Sequence, residues 1–219
     1  MPIITIYTAK AGQGATVTAA ALATLHAASG QRTLLIDAST GDLPAVLGLP
    51  QPDGPGLCDY LTDPNAAAID TLAIPVIDNL ELLPLGRETM LPSQVDIGFI
   101  TGGCDRYDTV IIDAGTRPTS GINAGTALLV TRPCFLALRR AIDSPLRPNG
   151  VVVIAEPGRS LTTVDIEAVL GCPVVATIPH DAAIARAVDA GLLTTRIPRM
   201  LSRALRSVDT AVATIRTGQ

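Results

Sequence analysis

Short runs of apolar, β-branched residues recur along the chain, separated by stretches with helical spacing. The runs "IITIY" (3–7), "TLLID" (33–37), "LELLPL" (80–85), "TVIIDA" (109–114), "ALLVT" (127–131), "VVVIA" (151–155) and "PVVATI" (173–178) read as buried strands. Helices are predicted near 15–28, 93–104, 135–143, 162–170 and 182–190. Strands alternating with crossover helices predict an α/β protein with a mostly parallel sheet and helices on both faces. In such sheets ligands collect beyond the carboxyl ends of the strands. Three glycine-containing loops fall there: "TAKAGQGAT" after the first strand, "DASTGD" after the second and "DAGTRPTSG" after the strand ending at Asp113. They predict one shared site. The Pro- and Gly-rich segment "GLPQPDGPG" (48–56) reads as a surface excursion within one domain spanning 1–219, because the strand pattern resumes at residue 80 and no fixed-period repeat is present.

Composition narrows the chemistry. Apolar residues are 47% of the chain, charged residues 16% and aromatics 2% with no Trp, so the core must be built from Val, Ile, Leu and Ala. Stacking of bases on aromatic rings is not available as a main binding mode. A net charge of -4 argues against a basic surface over the whole molecule, although a local basic patch stays open. Cys58, Cys104, Cys134 and Cys172 are far apart and lack C-x-x-C spacing, so they are expected to be buried, reduced thiols rather than a zinc site or a disulfide framework. No apolar run approaches the length of a membrane span and residues 1–10 do not read as a signal peptide, so a cytoplasmic location is expected.

The first loop carries the candidate chemistry. A glycine-rich turn entering a helix offers backbone N–H groups and a positive dipole end to an anion. Gly12 and Gly14 supply the permissive backbone and Thr16 a hydroxyl. A phosphate loop ends in Gly-Lys-Ser/Thr, whose lysine reaches the outer phosphates and whose hydroxyl reaches magnesium; here the triplet is Gly14, Ala15, Thr16. Fifteen of the 16 basic residues are arginine, and the single lysine, Lys10, stands at the start of this loop.

These residues resemble the ParA/MinD family of deviant Walker A ATPases, whose loop reads K-G-G-x-G-K-[ST]. In "KAGQGAT" Lys10 matches the family's signature lysine, Gly12 and Gly14 its glycines and Thr16 its magnesium-binding hydroxyl; Ala11 replaces a glycine and Ala15 the second lysine. "QRTLLIDASTGDLPAVLGL" is similar to the family's second strand and switch I, "NLELLPLG" to its N-L-x-L-L-P-x-G, and "YDTVIIDAG" to its Walker B strand and switch II. "ALLVTRPCFLALRRA" resembles the segment after switch II, and "IPHDAAIARAVDAG" the adenine-side I-P-x-D loop and helix. The resemblance implies a P-loop NTPase of SIMIBI/MinD-like type with seven or eight strands. It implies nucleotide contacts from Lys10, Ala11, Gly12, Gln13, Gly14, Ala15, Thr16 and Val17, with Pro179 and Asp181 flanking the base. It places magnesium at Thr16, Asp37 and Asp113, and it implies a homodimer in which Lys10 reaches the partner's phosphates.

The departures bear on catalysis. The family's switch I reads D-x-D, with its second aspartate beside the attacking water; here it reads "DAS", with Asp37 kept and Ser39 at the second position. Phosphoryl transfer is mainly positioning and charge stabilisation, and one lost charge partner can slow it by about a thousandfold or more. Hydrolysis is therefore expected to be very slow or absent, with no catalytic residue assigned. ATP and Mg²⁺ are expected to bind weakly or not at all, since "VVVIAEPG" also lacks the family's adenine-side asparagine. Arg117 in switch II is the nearest arginine by sequence to make good the charge, against its reading as a solvated loop residue. His26 and His180 read as surface or packing residues.

From Arg186 to the end, six arginines face two aspartates, and Leu201, Leu205, Val208, Val212 and Ile215 form an apolar stripe on a helix near 198–216. The plain expectation is a helix packed on the sheet with its arginines in water. The resemblance adds two others: nonspecific DNA contact through Arg199, Arg203 and Arg206, or an amphipathic membrane helix, which the lack of Trp, Phe and Lys in this segment weakens. The sequence thus predicts a degenerate ParA/MinD-like pseudo-ATPase acting in positioning, partition or scaffolding, with a protein adaptor or ParB-like partner and a pilus-positioning TadZ/CpaE-like setting among the possibilities. A slow but active partition ATPase is the alternative. Ala15 counts against a dethiobiotin synthetase-like ligase, and the cysteine spacing against a nitrogenase-type iron protein.

Overall fold

Each apolar run of the sequence becomes a strand. In this computed structural model, which describes residues 1–63, 68–87, 103–116 and 125–217, the strands are β1 (Ile3–Tyr7), β2 (Thr33–Asp37), β3 (Ile74–Ile77), β4 (Leu80–Leu83), β5 (Thr109–Asp113), β6 (Thr126–Thr131), β7 (Gly150–Ala155) and β8 (Val174–Pro179). They form one sheet in the order β3-β4-β2-β5-β1-β6-β7-β8. β1, β2, β5 and β6, in the middle of the sheet, are buried throughout, as parallel strands sandwiched by helices must be, whereas β8 at the edge is only partly buried. All neighbours pair parallel except β3 and β4. β3 is the strand that the hydrophobic pattern does not reveal: it is short, contains Pro75 and is incompletely buried, which suits only an edge.

The helices are α1 (Ala15–Ala28), α2 (Leu43–Val46), α3 (Leu57–Thr62), α4 (Ile69–Leu72), α5 (Phe135–Ile142), α6 (Thr163–Leu170), α7 (Ala182–Asp189) and α8 (Arg199–Thr217). The helix expected near 93–104 falls outside the described residues apart from 103 and 104. Strand alternation sends Ile4 and Ile6 into one core with α1, α2 and α8, and Ile3 and Tyr7 into another with α3, α4 and part of α5. Alanines 19, 20, 21, 23 and 27 of α1 are buried, and their small side chains let this helix lie close against the sheet.

Two features of the carboxyl-terminal half bear on function. Leu201, Leu205, Val208 and Val212 of α8 are buried, with Leu205 and Val208 at 0% exposure, so the stripe packs into the core, as the plain expectation had it. Of the two readings of His26, surface or packing, the structure has the second: it is buried, its Nε2 lies 2.7 Å from Asp209 Oδ1 and its Nδ1 lies 3.0 Å from Gln31 Oε1, tying α1 to α8. Among the described residues no helix is long and apolar enough to cross a membrane. The excursion at 48–56 is held at both ends, Gly48 lying against the backbone of Gly191 and Gly56 against Pro84 and Gly86.

Candidate nucleotide site

β2, β5 and β1 are neighbours, so the loops leaving their carboxyl ends meet. The Thr8 N–H donates to Gly115 O (2.8 Å), Ala38 N–H to Asp113 O (2.9 Å) and Ala114 N–H to Ile6 O (2.9 Å). These bonds join the first loop, the switch I-like loop and the start of the switch II-like loop at one edge, as the sequence predicts. Arg117 lies outside the described residues.

The first loop is shaped by glycine. Gly12 (φ 75°) and Gly14 (φ 92°) are left-handed, a region open to glycine at little steric cost. Gly14 is the N-cap of α1, with no side-chain cap and no acidic residue in the first turn. The helix therefore starts with N–H groups that no side chain caps, at its positive dipole end, a cradle for an anion. Gln13 is buried and accepts the Arg132 N–H through its side-chain oxygen (2.9 Å), pinning the loop to the end of β6. Ala15 is 4% exposed and joins the core. Thr16 and Lys10 are half-buried and Ala11 is exposed.

The two carboxylates differ. Asp37 accepts N–H groups from Ser39 (3.1 Å), Gly41 (3.3 Å) and Leu43 (3.2 Å), so it holds the switch I-like loop in place; burial nevertheless raises its pKa. Asp113 accepts Gly115 N–H through Oδ1 (3.2 Å), while its buried Oδ2 has no hydrogen-bond partner among the described residues. Burial pushes Asp113 up to about 7, opposed by the neighbouring Thr16 hydroxyl, which lies close but makes no full hydrogen bond to Oδ2, and reinforced by the Asp37 charge. A buried carboxylate oxygen without a donor fits a cation. Magnesium takes one or two protein ligands and fills its shell with water and phosphate oxygens, which Thr16 and Asp113 suit better than Asp37. Among the described residues no cluster of three or more His, Cys, Asp or Glu makes an all-protein metal cage. Ser39 packs on the switch II-like loop, where a methyl added at Gly115 would lie 2.2 Å from its Oγ.

Beside the loop opens a cleft of about 300 Å³ lined by Gln13, Gly14, Val17, Ile154, Pro179 and Asp181, among others. Its apolar walls and its place next to the anion cradle fit a nucleoside. The structure thus brings Gln13, Gly14, Val17, Pro179 and Asp181 to one wall; the Asp181 carboxylate is partly occupied in capping α7 through Ala183 N–H (2.7 Å). Arg199 opens α8 and lines a neighbouring pocket that meets this cleft at Asp181, and Arg203 and Arg206 follow it on the same helix. All three are exposed. Two features escape the sequence reading. Arg132, which lines the cleft, and Arg159 both pair with Glu156 (2.5 Å each). Cys134 and Cys172 are only half-buried, against the expectation of four buried thiols, which Cys58 and Cys104 meet; Cys134 stands at the N-cap position of α5, and backbone N–H groups of that helix, Ala137 first, lower its pKa. Spacing alone marks neither feature.

With this geometry in place, similarity to known structures becomes informative. The septum site-determining protein MinD of Pyrococcus horikoshii, complexed with Mg-ADP, matches with a TM-score of 0.80 over 98% of this chain and 97% of its own, at 23% identity. A ParA family ATPase from Chlorobium tepidum matches with a TM-score of 0.76 over 96% and 98%, at 23% identity.

The chain has the fold of the MinD and ParA ATPases.

MinD in the MinC:MinD complex of Aquifex aeolicus is similar as well, with a TM-score of 0.77 over 100% and 96%, at 23% identity. Residues 1–97, which hold the cradle, the switch I-like loop and β4, match the family model of cellulose biosynthesis protein BcsQ. No curated protein sequence matches the chain. The MinD/ParA fold accounts for the eight strands and for the convergence of the three loops at the edge of β1, β2 and β5.

Proposed function

We propose that this protein is a MinD/ParA-fold pseudo-ATPase: it binds ATP and Mg²⁺ weakly, does not turn them over, and works as a dimeric positioning or scaffolding component. One observation carries the reading. At the head of α1, where a triphosphate loop places its lysine, the chain has the buried Ala15, while the glycine cradle around it keeps its shape. Ser39, packed near Gly115, takes the place of a carboxylate that would orient water. Thr16 and Asp113 fit magnesium, Gly12 and Gly14 shape the loop for phosphate, and Val17, Ile154 and Pro179 line the nucleoside side. Mg-ATP, if bound, would supply a cation at Asp113 and phosphate oxygens at the start of α1; the chain's own residues would hold and orient it without activating water.

The match of residues 1–97 to the BcsQ model supports cellulose biosynthesis as the setting in preference to pilus placement. Resemblance to MinD in complex with MinC supports a protein adaptor as partner. The exposure of Arg199, Arg203 and Arg206 favours a second reading, a slow ParA-type ATPase that binds DNA without sequence preference. Calorimetric titration with Mg-ATP followed by phosphate release on the same sample separates the two. The pseudo-ATPase reading expects a Kd of about 100 μM or weaker, near -5.5 kcal/mol, with phosphate release at the background rate. Tight binding with measurable turnover overturns it, and a salt-dependent shift of duplex DNA lost on R199E/R203E/R206E supports the second reading.

A further inference from the structure

A groove of about 660 Å³ separates α7 from the turn that leads into α8. Ala183, Arg186 and Ala187 share one face of α7, at the i, i+3, i+4 spacing. Across from them stand Leu192, Arg196, Ile197, Pro198, Arg199 and Met200. The floor is apolar, with alanines leaving room where larger side chains would fill it. The rim carries three exposed arginines, none paired with a carboxylate among the described residues. The one acidic residue in the lining, Asp181, is engaged at the start of α7.

Three observations bear on what this face meets. Ile184 and Val188 of α7 pack toward the core, while Ala183 and Ala187, on the groove side, are only half-buried and Arg186 is exposed. Leu192 (44%) and Met200 (45%) are exposed beside the arginines. The segment from Arg186 onward has six arginines against two aspartates, in a chain whose net charge is -4.

We infer that the groove between α7 and the start of α8 is the docking site for an acidic amphipathic helix of a partner protein. Its apolar side would fill the floor over Ala183, Ala187, Leu192 and Met200, and its carboxylates would take the forked hydrogen bonds that arginine offers. Duplex DNA would satisfy the arginines and leave the concave apolar floor unfilled. An anionic bilayer fits worse, because the apolar stripe of α8 is already buried in the core and the groove has no aromatic side chain to insert. This inference does not rest on the nucleotide reading; the groove and the nucleoside cleft share only Asp181.

The test is selection on the full chain from a display library of helical segments of about 14 residues, four turns long, with Glu or Asp on one face and Leu, Ile or Met at i, i+3, i+4 and i+7. Selected segments are then measured by fluorescence anisotropy against wild type, R186E/R196E and A187W, which fills the floor without altering charge. Short duplex DNA and phosphatidylglycerol vesicles serve as rival probes. Thermal melts check that each variant is folded, and R196E alone, on an exposed turn, replaces the double variant if that one is not. The inference expects acidic segments that bind at about 100 μM or tighter and lose about tenfold or more in affinity in both kinds of variant. It is overturned if no acidic segment is selected, if the binders are indifferent to these substitutions, or if the arginines instead control binding of the duplex or the vesicles.

Discussion

Replacing Asp113 by Asn should stabilise the metal-free protein at alkaline pH and do little in acid. The native carboxyl, with its buried and unpartnered Oδ2, titrates at about 7 against 3.8 for an exposed aspartate. The native state therefore holds a proton more tightly than the unfolded chain does. The sign follows: the stability associated with the protonated group is complete below 3.8, declines as the pH rises, and is lost once the pH passes about 7. The two values lie about three pH units apart, so at roughly 1.4 kcal/mol per unit the ionised group costs about 4 kcal/mol at most. About 2 kcal/mol of that should fall between pH 5.5 and 8. Asparagine has the same shape, keeps an oxygen for Gly115 N–H and offers an amide to the Thr16 hydroxyl, so D113N should remove the pH-dependent part without opening a cavity. Urea denaturation in EDTA at both pH values reads this directly: wild type should lose about 2 kcal/mol more than D113N between them. Added Mg²⁺ should restore stability to wild type at pH 8 and not to D113N, since only the carboxylate attracts the ion. Parallel pH profiles for the two proteins would refute the account of Asp113 as an uncompensated buried charge.

Further predictions test the cradle and the core. Restoring the loop lysine with A15K should tighten ATP binding about 10- to 100-fold in calorimetry, the worth of one charged hydrogen bond to phosphate, while phosphate release stays at background until S39D is added; turnover in A15K alone would contradict the role given to Ser39. L205A should lower stability by about 2–5 kcal/mol in denaturant titration, because Leu205 is fully buried in the core shared with α1; a loss below about 0.5 kcal/mol would show α8 to be detachable. G48A should destabilise by more than about 2 kcal/mol, since its methyl would lie 2.3 Å from the Gly191 carbonyl oxygen at a φ of 76°; a melting temperature equal to wild type would show that the two turns separate freely.

The sheet was legible because a strand buried on both faces has to be written as an unbroken apolar run, and β1, β2, β5 and β7 are. β3 was not, because an edge strand needs apolar residues on one side only and Pro75 breaks the pattern. The short helices α2, α3 and α4 have four to six residues, too few to display a 3.6-residue period. The cradle could be read from glycine spacing and the lone lysine, because left-handed backbone demands a residue type. The division of labour between Asp37 and Asp113 could not: both end a strand with the same residue, and only the three N–H groups gathered by Asp37 distinguish them. The same holds for His26 and Asp209, far apart in sequence and joined only by the packing of α8 on α1. The incomplete burial of α7 is likewise a fact of assembly, since its apolar spacing alone predicts a covered helix.

The parts of the site divide into those the backbone enforces and those carried by replaceable side chains. The loop conformation rests on Gly12, Gly14 and the hydrogen bond from Thr8 to Gly115, all intact. A lysine at residue 15 or an aspartate at residue 39 contributes nothing to that conformation, so either can be lost without disturbing the fold. Asp113 is the reverse case. An orphaned carboxylate oxygen in a buried place and an uncapped start to α1 both destabilise the free protein, and neither gains anything from the surrounding packing. A cation at Asp113 and an anion at α1 would relieve both at once, which is the pairing that magnesium and a phosphate chain supply together. On the proposed reading, a bound ligand would act on the stability of the fold through these two places, and not through a chemical step.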